Sequence, residues 1–160
     1  MRHVMCVLVE NRPGVLAHIS GLFSSRGYNI DSLAVGRTEN PNISRMTIVV
    51  DGDEVILEQI RKQLERLVPV LRVTDFYGQE YVERDLMLVK VAATPAKRLE
   101  LMGLVDVFRA KVVHVGAREM IIEVSGTEDK LEAMVELLAS YGIKELVRTG
   151  TVAMLRGNGG

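Results

Sequence analysis

The chain has 160 residues, with 20 Lys and Arg against 21 Asp and Glu, a net charge of −1 and 48% apolar residues. Near-neutrality removes the phosphate-neutralising footprint on which nucleic-acid affinity rests, and no apolar run approaches the ~20 residues needed to span a membrane as a helix. One cysteine, Cys6, cannot form an internal disulfide, and the N-terminal stretch lacks a small-residue cleavage site, so the expected setting is reducing and cytoplasmic.

Residues 2–9 are apolar at both alternating positions. They predict a central strand covered on both faces, by helices or by a partner subunit. The run ends at Glu10-Asn11-Arg12-Pro13-Gly14, where proline removes a donor and glycine tolerates unusual backbone angles. A helix over 14–26 follows, with Val15, Leu16, Ile19, Leu22 and Phe23 as its apolar stripe and Gly27 as its stop. Residues 28–35 predict a second strand, Asn40-Pro41-Asn42 marks a turn, and 46–50 is a β-branched strand.

A second helix is expected over 53–67, with Ile56, Ile60, Leu64 and Leu67 on its buried face and a Glu58–Lys62 pair on its surface. Asp53 and Glu54 suit its positive end. Pro69 closes the helix and 70–76 is a fourth strand. Strand, helix, strand, strand, helix, strand is the ferredoxin-like split order. The rest repeats it: strand 86–92, helix 95–108, strands 111–115 and 120–124, helix 127–140, strand 143–149. The reading is an α+β chain of two βαββαβ units in tandem, divided as 1–78 and 79–160, with the tail from Arg156 frayed.

Residues suited to catalysis are sparse. His3, His18 and His114 are isolated, Cys6 has no CxxC partner, and GxGxxG, GxxxxGK[ST] and GxSxG are absent. Neither an active site nor a metal site is expected.

The first strand-to-helix junction is the informative place. A helix start offers unpaired N–H groups and the positive dipole end, so it attracts anions. Gly14 has no Cβ to obstruct a carboxylate, and the Asn11 amide can donate or accept. A second wall is available in Tyr28-Asn29-Ile30, where Asn29 supplies another amide. Asn11, Gly14 and Asn29, with Val15, Leu16 and Ile30 as an apolar socket, provide the three kinds of group that a small aliphatic amino acid needs. Asn11 and Asn29 equally suit plain turn and cap roles.

The run Glu10-Asn11-Arg12-Pro13-Gly14-Val15-Leu16 on a βαββαβ scaffold resembles an ACT domain, the amino-acid-sensing module. Arg26-Gly27-Tyr28-Asn29-Ile30-Asp31-Ser32-Leu33, Ser44-Arg45-Met46-Thr47 and Glu83-Arg84-Asp85-Leu86-Met87-Leu88-Val89-Lys90-Val91 extend the likeness. Over the whole chain it is similar to the small regulatory subunits of acetohydroxyacid synthase, also called acetolactate synthase. That resemblance implies a non-catalytic homodimer that activates a catalytic large subunit and confers feedback inhibition by valine in branched-chain amino acid biosynthesis. It implies that Asn11 and Gly14 of one chain face Asn29 and Ile30 of the other. It also implies that thiamine diphosphate, FAD and magnesium belong to the catalytic subunit, with no cofactor in this chain. Some members carry an acidic residue and a serine where this chain has Arg12 and Pro13, which adds a positive charge beside the pocket.

Two other classes share the strand order. A stand-alone ACT sensor for another enzyme would look the same at this level. An RNA-recognition module would need aromatic residues on its central strands, and the first and third strands here carry Met5, Cys6, Val7, Ile48 and Val49 instead.

Overall fold

The computed structural model describes residues 1–157. The chain divides into two compact units: Met1–Val82 with the described residues from Thr151 onward, and Glu83–Gly150. The expected division into 1–78 and 79–160 differs from this one in its boundary and in giving the segment from Thr151 to the second part.

The first unit contains β1 (Arg2–Glu10), α1 (Val15–Ser25), β2 (Ile30–Arg37), β3 (Ile43–Asp51), α2 (Glu54–Glu65) and β4 (Val70–Asp75). Its sheet runs β2-β3-β1-β4, antiparallel at each pairing. Helix α1 turns Val15, Ile19 and Phe23 inward. Its end is built by Gly27 at φ 76°, where Gly27 N–H donates to Ser24 O and Tyr28 N–H donates to Phe23 O. That paired arrangement closes a helix through a left-handed residue, which glycine adopts without steric cost. Leu16, expected on the buried stripe, is 45% exposed because it lies one residue, about 100°, off the inward row.

Helix α2 is capped by Asp53, whose Oδ1 accepts from Val55 N–H at 2.8 Å. Leu57, Ile60 and Leu64 form its buried face. Ile56 was expected there and is exposed, since the 57/60/64 row excludes its neighbour at 56. The expected Glu58–Lys62 pair is replaced by Arg61, whose guanidinium fork engages both Glu58 and Glu65.

One face of β1 and β3 supplies Met5, Val7, Met46 and Ile48 to the core beneath the helices. The opposite face, with Val4, Cys6 and Val49, packs against Phe76 and Ala153. Ala153 belongs to β9 (Val152–Leu155), a strand that sequence reading did not predict. Both faces of β1 are therefore covered, and the second cover comes from the same chain. Thr151 N–H donates to Ser32 Oγ at 2.8 Å, and Arg45 Nη2 donates to Ala153 O at 2.8 Å. Arg156 N–H is anchored on Glu80 O at 3.1 Å rather than frayed. The rest of the expected frayed tail, residues 158–160, lies outside the described residues.

Strand β5 (Tyr81–Ala92) starts earlier than its predicted 86–92 and pairs with β9. The second unit continues with α3 (Pro95–Val107), β6 (Lys111–Val115), β7 (Glu119–Gly126), α4 (Glu128–Ala139) and β8 (Ile143–Arg148). Its strand order is β6-β7-β5-β8. Met87, Val89, Ile122, Leu101, Leu131 and Met134 anchor its core. The βαββαβ order thus occurs twice, as the sequence pattern predicted.

Candidate functional site

Gly14 occupies the N-cap of α1 in a left-handed conformation, φ 86°. No side chain caps this helix, and its first turn carries no acidic residue. A Cβ built at Gly14 would meet nothing within 4 Å. The corner is open backbone with donors at a positive dipole end, the arrangement that accepts a carboxylate.

Asn11 is tied down beside it. Its N–H donates to Asn42 O at 2.8 Å, and its Nδ2 donates to Pro41 O at 3.0 Å. That second bond sets the amide orientation and leaves Oδ1 as the atom available to an incoming donor. Arg12 Nε lies 3.0 Å from Glu10 Oε2, so the positive charge beside the corner has a local partner.

The proposed second wall is held by other contacts. The Tyr28 hydroxyl accepts from Asp53 N–H at 3.3 Å, and its ring lies where a Cβ on Gly52 would stand, with Cε1 2.0 Å from that position. Glycine at 52 lets the ring lie against the backbone. Asn29 is exposed, while Ile30 is half-buried against the core.

Register separates the two sets within one chain. Ile30 faces Val50, which faces His3, whereas Glu10, immediately before Asn11, faces Ile43. Seven residues along β1, at roughly 3.3 Å each, set the corner and Ile30 about 23 Å apart. Asn11, Gly14, Val15 and Leu16 therefore sit at one end of the sheet, and Asn29 and Ile30 at the other. Val15 is buried in the core, so Leu16 is the apolar side chain that α1 presents outward at this corner.

Two contacts at the site went unread in the sequence. Asn40-Pro41-Asn42 was legible as a turn, but its bonds to Asn11 depend on strand register. Gly52 was legible as a strand end, but its partner Tyr28 is brought in by tertiary packing.

Elsewhere, His3 is buried with Nδ1 3.0 Å from Asp75 Oδ2 and stacks on Tyr77 at 4.6 Å. Burial pushes the Cys6 thiol up, against the opposing influence of Arg45 and Arg72. Among the described residues no group of three or more His, Cys, Asp or Glu is placed to hold a metal ion. No described helix is long and apolar enough to cross a membrane.

A four-stranded βαββαβ sheet with an uncapped glycine corner after its first strand is the architecture of an ACT-domain protein. Residues 5–72 match the family model described as the AHAS small subunit-like ACT domain, and residues 84–157 match that of the small subunit of acetolactate synthase. The chain belongs to the acetolactate synthase small-subunit family. It is 52% identical to the probable acetolactate synthase small subunit of Archaeoglobus fulgidus, covering 99% of each chain. It is 46% identical to the acetolactate synthase small subunit of Bacillus subtilis, covering 98% of this chain and 92% of that one. The crystal structure of the Thermotoga maritima acetolactate synthase small subunit superposes with a TM-score of 0.90 at 41% identity, over 99% of each chain.

Proposed function

We propose that this chain is a non-catalytic regulatory subunit of acetolactate synthase: it activates a larger catalytic subunit and mediates feedback inhibition by binding valine at an interface between two ACT units. One observation carries the reading. The carboxylate corner at Asn11 and Gly14 and the amide wall at Asn29 and Ile30 stand at opposite ends of one sheet, and β2 is an edge strand of that sheet. Antiparallel pairing of β2 with its copy across a two-fold axis would carry the partner's Ile30 from its own end to the Arg37 end. There β2 meets Ser44, beside Ile43 and Glu10. A homodimer completes a pocket that a single chain leaves in two halves.

In that pocket the N-terminal turn of α1 takes the carboxylate, and Asn11 Oδ1 accepts from the ammonium. Leu16 with the partner chain's isoleucine encloses the side chain. Valine that binds one dimer packing better than another shifts the equilibrium between them by its difference in affinity, typically ~1–3 kcal/mol of coupling. Thiamine diphosphate, FAD and magnesium belong, on this reading, to the catalytic subunit. A buried free thiol at Cys6 suits a cytoplasmic setting.

The test is synthase activity of the reconstituted holoenzyme as valine is titrated, alongside calorimetry of the isolated chain with valine, leucine and isoleucine. We expect inhibition and one binding isotherm per interface site. An enzyme indifferent to millimolar valine refutes the proposal.

A further inference from the structure

We infer that the outer face of the first sheet carries an anion site in which Arg45 and Arg72, from either side of Leu8, together take a phosphate-type dianion. No residue of the Gly14 corner takes part, and the inference does not depend on the functional reading above.

Strand register builds the site. Gly36, Arg45, Leu8 and Arg72 stand in one row across β2-β3-β1-β4, and Ala34, Thr47, Cys6 and Thr74 form the next row. Side chains directly opposite one another on paired strands share a face. Cys6 fixes which face it is, since it packs against Phe76 and Ala153 on the side away from the helices. The two arginines are two strand spacings apart, about 10 Å between Cα atoms, so their long side chains can close on one group above Leu8. Leu8 is half-buried, and a Cβ built at Gly36 would meet nothing within 4 Å, which keeps the approach beside Arg45 clear. Pairing of β2 with a copy of itself within the plane of the sheet leaves this face open.

The positive charge there is uncompensated. Arg45 Nη2 donates to Ala153 O at 2.8 Å, a neutral partner that holds the guanidinium in place without cancelling its charge. No carboxylate among the described residues pairs with either arginine. Glu10, one row further on the same face, lies 3.0 Å from Arg12 Nε. Glu65, which shares a crevice with Arg72 at the β4 edge, accepts from Arg61 Nη1 at 2.5 Å. Burial raises the Cys6 pKa and the charges of Arg45 and Arg72 oppose that rise, so both guanidiniums act on the same sulfur. Two like charges held over one spot repel, and an anion between them replaces that repulsion with two attractions. Beneath them Cys6 is 5% exposed, and Thr47 is 3% exposed with no side-chain hydrogen bond among the described residues. A buried hydroxyl is thereby left to donate to a ligand oxygen.

Chemistry selects the ligand. Guanidinium forks match the oxygens of carboxylates and phosphates. Two forks carry two positive charges, which a phosphate dianion balances and a single carboxylate does not. A tetrahedral oxyanion also has oxygens enough to meet two forks and a hydroxyl at once.

The experiment titrates the full chain with inorganic phosphate at constant ionic strength, by calorimetry and by melting temperature, for wild type, Arg72→Gln and Arg72→Lys. Arg72 is exposed and holds no other part of the fold, so its variants keep the structure, whereas changing Arg45 would also release Ala153. We expect saturable binding of one phosphate per chain and a melting temperature that rises with phosphate. Affinity should fall about tenfold or more in Arg72→Gln, which loses charge-assisted bonds, and less in Arg72→Lys, which keeps the charge without the fork. Because phosphate also stabilises proteins by exclusion from their surface, the difference between wild type and Arg72→Gln is the decisive reading. An identical phosphate response in those two chains overturns the site, as does the absence of saturable binding in wild type. Acetate that displaces phosphate on equal terms would make this a carboxylate site and overturn the assignment of the ligand.

Discussion

Gly14 joins two properties that no other side chain combines. Its φ of 86° lies in the left-handed region, and the space where its Cβ would stand is empty. Gly14→Asp tests the second property, since aspartate is among the residues that best tolerate the left-handed region. It sets a fixed carboxylate at the uncapped N-terminus of α1, where the ligand's own carboxylate would bind, and so satisfies those donors internally. We expect valine inhibition of the reconstituted synthase to be lost while activation of the catalytic subunit is retained. Inhibition curves of variant and parent that superimpose would show the corner to be misassigned. Asn11 is the complementary case. Residue type alone left it open between ligand group and turn residue, and the structure gives it a loop-holding bond to Pro41 that still leaves Oδ1 free to act.

Elements formed where local signals agreed. α2 has an N-cap, an acidic first turn, a basic residue in its last turn and a single buried row, and its predicted and observed spans differ by two residues at most. Asp53→Ala removes the acceptor for Val55 N–H and should cost about 1 kcal/mol, read as faster amide hydrogen exchange across the first turn of α2. Sequence periodicity nevertheless placed Ile56 inward. Ile56 and Leu57 are adjacent aliphatic residues, and the choice between them is made by the sheet that the helix rests on, which periodicity does not contain. Leu16 beside Val15 is the same ambiguity in α1. The strand β5 was read short at 86–92 because Tyr81, Glu83, Arg84 and Asp85 supply no clean alternation. The strand also pairs with β9, some 70 residues away in sequence, a partner that local pattern does not announce.

At the scale of the whole molecule, the outer face of the first sheet is closed by the last described strand. Val4, Cys6 and Val49 are buried against Phe76 and Ala153, and the Ser32–Thr151 and Arg45–Ala153 bonds hold the strap in place. Cys6 is then both shielded and, with its pKa raised by burial, poor in thiolate at neutral pH. In the full chain it should resist alkylation under native conditions. Ending the chain at Gly150 should lower the melting temperature and let a thiol reagent label Cys6 many-fold faster. Equal labelling rates in the two chains would mean that another part of the molecule does the shielding.

What the amino-acid order determined by itself was the repeated βαββαβ plan, the apolar rows of its strands and the glycine corner after the first of them. Each of these depends on neighbours within a few residues, on backbone freedom, side-chain period and capping. What only the tertiary structure decided was which of two adjacent aliphatics turns inward, that β9 covers the β1 face otherwise open to a partner, and that Asn11 and Ile30 stand at opposite ends of one sheet. Those outcomes rest on strand register and on contacts between distant residues, for which local sequence carries no signal.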